Sequence, residues 1–352
     1  MSKAVVTLAD ISQFDEIIDV RSPAEYAEDR IPGAINLPVL DDEQRALIGT
    51  LYKQHSPFEA RRLGGALVAE NIAHHLKTTL ADRPKNWRPL LYCWRGGMRS
   101  GSFVTWMRLV GWQACQLENG YKTWRQHVID ELAAIPARLD LHVLCGPTGS
   151  AKTAVLTALS AQGAQVLDLE GIAAHKGSVL GGLPDQGQPA QKWFETCVQQ
   201  TISRFDPARP VFVEAESRKI GAIFVPEALI ARMRAAPCIE IAATRDARIE
   251  YLLRDYAWLG EEPAQLVRKL GYLKGIIDNE SLARWQAWAS ERALPALYAE
   301  LIDKHYDPLY TRSQNRNFTR FDAAGRFSTD DLSEAGVDTL ATTIFESTRS
   351  IP

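Results

Sequence analysis

Leu141-His142-Val143-Leu144-Cys145-Gly146-Pro147-Thr148-Gly149-Ser150-Ala151-Lys152-Thr153-Ala154-Val155-Leu156 is the stretch on which the reading of the fold turns. An apolar run, Leu141 to Leu144, enters a loop with glycines at 146 and 149, and good helix formers from Lys152 to Ser160 leave it. A strand, a glycine-bearing turn and a helix in immediate succession form the building unit of a parallel sheet. The N–H groups that open such a helix have no partner within it, so they make a cradle for an anion, and Lys152 adds a charge beside it.

Working outward, the alternation continues on both sides. Downstream, Gln165 to Leu169, Val211 to Ala215 and Ile239 to Ala243 read as strands, residues 189–204 as an amphipathic helix, and most of the chain from there to residue 306 as helix. Upstream, residues 17–20 read as a short buried strand, Pro23 to Asp29 as a helix capped by Ser22, and residues 31–37 as a turn into another strand. Residues 42–80 have helical periodicity, with breaks expected at Ser56-Pro57 and Gly64-Gly65. Leu90 to Tyr92 is a strand, Ser100 to Val110 a helix, Gln113 to Leu117 a last strand, and Asn119-Gly120 a turn. Residues 134–138, with Pro136, are the expected hinge. The fold class is therefore α/β, with domains expected at 1–135 and 139–352, the second ending in a helical extension.

At 352 residues, 46% hydrophobic and 24% charged, the chain has the composition of an ordinary globular protein. A net charge of −3 announces no overall basic field, although a local basic groove would still attract nucleic-acid phosphates. Cys93, Cys115, Cys145, Cys197 and Cys238 are scattered and contain no C-x-x-C pair, so neither a disulfide framework nor a zinc site is indicated. The N-terminal residues lack the apolar core of a signal peptide, and no run reaches the ~20 apolar residues of a membrane span. The expected compartment is the cytoplasm, with no membrane partner.

A second anion cradle lies upstream. Cys93-Trp94-Arg95-Gly96-Gly97-Met98-Arg99-Ser100 follows the strand Leu90–Tyr92 and opens a helix. A helix N-terminus and two permanent cations, Arg95 and Arg99, favour the thiolate of Cys93 and mark it as the catalytic nucleophile.

In the downstream loop, Gly146, Thr148, Gly149, Ser150, Ala151, Lys152 and Thr153 are the expected phosphate-binding residues, with Ser217, Arg218 and Lys219 supplying further contacts. The pattern is that of a P-loop except at Ala151, where a glycine is usual. That departure predicts a negative φ at Ala151 and a slightly reshaped loop. Glu214, with Glu216 beside it, ends the strand where such proteins carry an acidic residue; Asp168 and Glu170 are weaker candidates of the same kind. Thr153 and Glu214 are the candidate ligands of a Mg²⁺ ion. The glycine-rich stretch from His175 to Gly187 is expected to be a mobile substrate loop. Lys304, Tyr306, Tyr310, Arg312 and Arg316 interleave basic and aromatic side chains, as an RNA-docking surface would.

Asp19-Val20-Arg21-Ser22-Pro23-Ala24-Glu25-Tyr26, Ile31-Pro32-Gly33-Ala34-Ile35-Asn36 and Gly120-Tyr121-Lys122-Thr123-Trp124 resemble the opening and closing segments of a rhodanese domain. That resemblance implies that Cys93 occupies the persulfide-bearing position. Five residues separate Cys93 from Arg99 where many sulfurtransferases have four; the longer loop resembles that of dual-specificity phosphatases and suits a larger anion. Together with Ser56-Pro57-Phe58-Glu59-Ala60-Arg61-Arg62-Leu63-Gly64 and Val213-Glu214-Ala215-Glu216-Ser217-Arg218-Lys219-Ile220-Gly221, nearly the whole chain resembles the tRNA 2-selenouridine synthase family.

This resemblance implies S-geranylation of a wobble 2-thiouridine from geranyl diphosphate, then displacement of the geranylthiol by selenium from selenophosphate. The P-loop would hold the diphosphate, and Cys93, Arg95 and Arg99 would serve the selenium step, whether as a perselenide carrier or only as an aid to selenophosphate. The implied partners are a tRNA and, transiently, a selenophosphate-producing enzyme; no tightly bound cofactor is implied. Two other readings stand beside it: an ATP-dependent sulfurtransferase or tRNA thiolase using a Cys93 persulfide, and a non-catalytic binder of phosphorylated partners. Ala151 counts against the former, and Cys93 with its two arginines against the latter.

Overall fold

A computed structural model describes residues 4–178, 180–183 and 186–349. The chain divides into two compact units. One gathers the described residues up to Asp130 together with Ala190–Thr196, and the other gathers Glu131 onward apart from that segment.

The first unit contains a five-stranded sheet in the order β1-β5-β4-β2-β3, parallel throughout. Its strands are β1 (Val5–Val6), β2 (Glu16–Asp19), β3 (Ile35–Asn36), β4 (Pro89–Tyr92) and β5 (Cys115–Leu117). Five helices accompany them: α1 (Pro23–Glu28), α2 (Asp42–Gln54), α3 (Pro57–Lys77), α4 (Met98–Val110) and α5 (Tyr121–Ala134). Starts are encoded locally. Pro23 and Pro57 occupy first-turn positions where no N–H is needed, and Glu25 returns to the Ser22 N–H at 3.2 Å. The break expected at Gly64-Gly65 does not occur. α3 runs straight through; Gly64 is buried where a Cβ would meet Ile48 of α2 at 3.4 Å, an ordinary contact, and Gly65 faces open space.

β4 lies between β5 and β2 and is wholly buried, so the residue that follows it, Cys93, emerges near the middle of the carboxyl edge of the sheet. The same unit holds a buried polar network. Arg21, buried, forms a two-pronged pair with Asp19 at 2.6 and 3.0 Å, and its guanidinium lies 4.0 Å from the centroid of the Tyr121 ring. Tyr121 in turn donates to buried Asp29 at 2.7 Å. These residues fix the loops at the sheet's edge.

The second unit is built on another parallel sheet, in the order β12-β11-β6-β8-β7. After the short turn Pro136–Arg138 come β6 (Asp140–Cys145), α6 (Lys152–Ala161), β7 (Gln165–Leu167), α7 (Leu169–Ala173), α8 (Gln191–Ile202) and β8 (Pro210–Glu214). An antiparallel pair, β9 (Lys219–Ile220) and β10 (Ile223–Phe224), precedes α9 (Glu227–Arg234) and β11 (Cys238–Ala243). The helical part comprises α10 (Arg245–Asp255), α11 (Ala257–Glu261), α12 (Pro263–Leu270), α13 (Asn279–Ser290), α14 (Leu294–Leu301) and α15 (Asp307–Asn317). The chain then returns with β12 (Gly325–Thr329), parallel to β11, and α16 (Glu334–Arg349).

The sequence reading expected a helical C-terminal extension but foresaw neither β12 nor the packing of the last helix, α16, on the sheet core. β12 is largely exposed, so it lacks the apolar run of a buried strand. α16 lays Val337, Leu340, Ala341, Ile344 and Phe345 into the same core as Val155, Leu159 and Phe212. Among the described residues no helix is long and apolar enough to cross a membrane.

Candidate functional site

The first site is the loop from Cys93 to Ser100. Cys93 is 3% exposed, and its Sγ accepts the Gly97 N–H at 3.3 Å and the Ser100 hydroxyl at 3.1 Å. Burial pushes the thiol up, but the hydrogen bonds of Ser100 and Gly97 and the charge of Arg99 outweigh it, and the pKa falls below the usual thiol range. Arg99 is held at 2.8 Å by Glu25, at the start of α1. Arg95 is exposed. The two arginines thus differ: Arg99 is a fixed charge acting on the sulfur, and Arg95 projects to solvent.

The turn Asn119-Gly120 closes this loop from below. Tyr121 N–H donates to the Cys93 carbonyl at 2.8 Å and Lys122 N–H to that of Trp94 at 3.1 Å. Gly120 has φ +57°, and a Cβ there would lie 2.1 Å from the Cys93 carbonyl oxygen. Only glycine permits that approach.

The second site lies at the carboxyl end of β6, the central strand of its sheet, where ligands of open parallel sheets bind. A cavity of about 400 Å³ is lined by Gly146, Thr148, Gly149, Ala151, Lys152 and Thr153 of the loop, and by residues of six later segments. Ala151 has φ +58° and ψ 27°, in the left-handed region, which corrects the expected negative φ. The loop keeps the backbone a glycine would give it, and the methyl is buried against the core of α6, so packing offsets the torsional cost. Ser150 is fully buried and does not line the cavity. Lys152 Nζ donates to the Gly146 carbonyl at 2.8 Å.

Opposite the loop, Glu170, Glu214 and Glu216 converge, with one carboxylate oxygen from each within 4.8 Å of the others. Burial, and then the neighbouring carboxylates, push each of them up to about 8, against the pull of Lys152. Thr153 Oγ1 donates to Glu170 at 3.3 Å. Asp168, expected among these acids, is turned away. Its carboxylate caps α7 through the Gly171 N–H at 2.7 Å, and it does not line the cavity.

Ser217 reaches the cavity, whereas Arg218 pairs with Glu227 on the surface and Lys219 lies over Phe224, so neither lines it. The five residues read as an RNA surface are divided. Tyr306 and Tyr310 line the phosphate cavity, and Lys304 is bound to Glu300 at 2.5 Å. Arg312 and Arg316 are exposed on α15. Within the stretch from His175 to Gly187, Lys176, Gly177 and Ser178 line the cavity; Val179, Pro184 and Asp185 lie outside the described residues.

One residue of this site had no signal in the sequence. Arg248 on α10 is 5% exposed, donates to the Thr148 carbonyl at 2.9 Å and forms a two-pronged pair with Asp307 at 2.6 and 3.0 Å. It clamps the phosphate loop from a helix about a hundred residues away. One of three arginines in a charged helix carries no mark of that task.

Residues 4–127 match the rhodanese-like domain family, and residues 139–276 match the tRNA 2-selenouridine synthase AAA domain. A protein of Alcanivorax borkumensis named tRNA 2-selenouridine synthase is 39% identical over 84% of this chain and 88% of its own length. The chain belongs to the tRNA 2-selenouridine synthase family. A member from Nitrosomonas europaea is 32% identical over 92% of this chain and 81% of its own, and one from Chromohalobacter salexigens is 33% identical over 84% and 86%. The match spans both units, so both the cysteine loop and the phosphate loop lie inside the family's shared extent.

Proposed function

We propose that this chain is a tRNA-modifying transferase that converts 2-thiouridine to 2-selenouridine through an S-geranyl intermediate. The observation that carries the reading is what adjoins the phosphate loop. Thr148, Ser178, Leu252, Tyr256 and Tyr306 are shared between the phosphate cavity and an apolar recess completed by Leu180, Tyr298 and Leu301. Apolar walls beside a phosphate cradle are the chemistry a diphosphate joined to a hydrocarbon chain needs; the recess itself is about 20 Å³, so such a chain would have to part these walls to enter.

In the first step the thiouridine sulfur attacks C1 of geranyl diphosphate. A C–S bond forms, the C–O bond breaks, diphosphate leaves, and the nucleobase loses its N3 proton. Lys152 and the N–H groups opening α6 face the developing diphosphate charge. In the second step selenium from selenophosphate attacks C2 of the base. The C–S bond breaks, geranylthiol leaves with a proton, and water takes the phosphoryl group as phosphate. The depressed pKa of Cys93 and the fixed charge of Arg99 make the first site the one suited to a soft, anionic selenium donor.

The test is to incubate the protein with 2-thiouridine tRNA and geranyl diphosphate, with and without selenophosphate, and to read nucleosides by mass spectrometry. The geranylated nucleoside is expected without selenophosphate and the selenated one with it; neither product under any condition sinks the reading. One observation favours a second reading. The left-handed Ala151 leaves the loop in the conformation of an ordinary P-loop, which suits an ATP-dependent sulfurtransferase as well. ATP hydrolysis that is lost in Lys152→Ala would move the balance to it.

A further inference from the structure

The cavity is acidic, which is unexpected beside a glycine loop and a helix N-terminus whose unpartnered N–H groups favour an anion. Its lining sets Glu170, Glu214, Glu216 and Asp255 against Lys152 and Lys176. Lys176 is already paired with Asp255 at 2.6 Å, so among the described residues Lys152 is the lining lysine left to face the three glutamates. Fully charged, these would repel a diphosphate at the distances the cavity allows.

Glu214 supplies a second and independent indication. It is 2% exposed, and its Oε1 is buried with no hydrogen-bond partner among the described residues. A buried carboxylate oxygen without a donor is costly unless a proton or a cation meets it. The Gly177 backbone packs closely against the other two carboxylates. With φ +61°, it passes so close that a Cβ would stand 2.5 Å from Glu170 Oε1 and 3.2 Å from Glu216 Oε1.

We propose that Glu170, Glu214 and Glu216 form a divalent-cation site that the protein fills before any diphosphate arrives. Thr153 Oγ1, 3.3 Å from Glu170, stands at its edge. An all-oxygen set of three carboxylates and a hydroxyl selects a hard ion such as Mg²⁺ or Mn²⁺ over a thiophilic one. A single acidic residue beside a phosphate loop leaves most of the coordination to the ligand's own phosphates. Three convergent carboxylates do not need that help. Their cation would also turn an acidic cavity into one that accepts an anion. The proposal is independent of which organic diphosphate, if any, is the substrate.

Mn²⁺ titration of the full chain, followed by electron paramagnetic resonance with no diphosphate present, tests it directly. The expected result is one ion bound per chain at micromolar concentration, displaced by Mg²⁺. Glu214→Gln, Glu216→Gln and Glu170→Gln should each weaken binding by at least ~10-fold. A thermal melt in chelator establishes that each variant is folded, and the two half-buried positions decide if Glu214→Gln is not. Binding seen only at millimolar Mn²⁺, binding that requires added diphosphate, or folded glutamine variants that bind like the native chain would each overturn the proposal.

Discussion

The Ser100 hydroxyl, 3.1 Å from the Cys93 sulfur, is the largest single influence holding that thiol below its usual range against the opposing effect of burial. Ser100→Ala should therefore move the midpoint of the pH profile for Cys93 alkylation upward. The thiolate is the reactive form, so at neutral pH the variant should react more slowly with iodoacetamide. An unchanged profile would mean that Arg99 and the backbone suffice. Ala151 allows a second test at the same scale. Ala151→Gly relieves a left-handed alanine worth about 1–2 kcal/mol. It also loosens the unfolded chain by about 0.4–1 kcal/mol and removes a buried methyl worth about 0.8 kcal/mol. These offset one another, so urea denaturation should show a change within about 1 kcal/mol. A loss above about 2 kcal/mol would contradict the left-handed geometry.

Elements carry the site through their ends. The turn before α5 supports the cysteine loop only because Gly120 has no side chain, so Gly120→Ala must push the Cys93 carbonyl away. Chemical denaturation is expected to show a loss of at least about 2 kcal/mol, accompanied by slower alkylation of Cys93. α16 tests the second unit in the same way. Ile344 is wholly buried beside Phe212 and Leu159, so Ile344→Ala should cost about 2–5 kcal/mol in a urea melt. A smaller cost would mean that the C-terminal helix is not part of this core. Both cradles were legible in the sequence, because a strand, a glycine loop and a helix are adjacent along the chain. The convergence of Glu170 with Glu214 and Glu216 was legible only in part, since it requires β7 and β8 to lie side by side with a particular register. Arg248 and β12 were not legible at all: one is an arginine among several charged residues of α10, the other an exposed edge strand.

Across the whole chain, two parallel-sheet units each present a glycine-bearing loop at the carboxyl edge of a central strand, and the family match spans both. The two cradles differ in kind. One surrounds a sulfur with hydrogen-bond donors and a single fixed guanidinium; the other sets a phosphate loop against carboxylates and an apolar recess. That difference is the reason to assign them different steps of one reaction sequence. The left-handed Ala151 no longer separates the loop from an ordinary P-loop, so the weight of the assignment falls on Cys93 and on the apolar character of the walls beside the loop. The decisive measurement is nucleoside mass spectrometry on 2-thiouridine tRNA treated with Lys152→Ala or Cys93→Ala in the presence of geranyl diphosphate and selenophosphate. The account predicts that Lys152→Ala makes no geranylated nucleoside, whereas Cys93→Ala accumulates it and makes no selenated one. Equal loss of both products in Cys93→Ala would contradict the division of labour between the two loops.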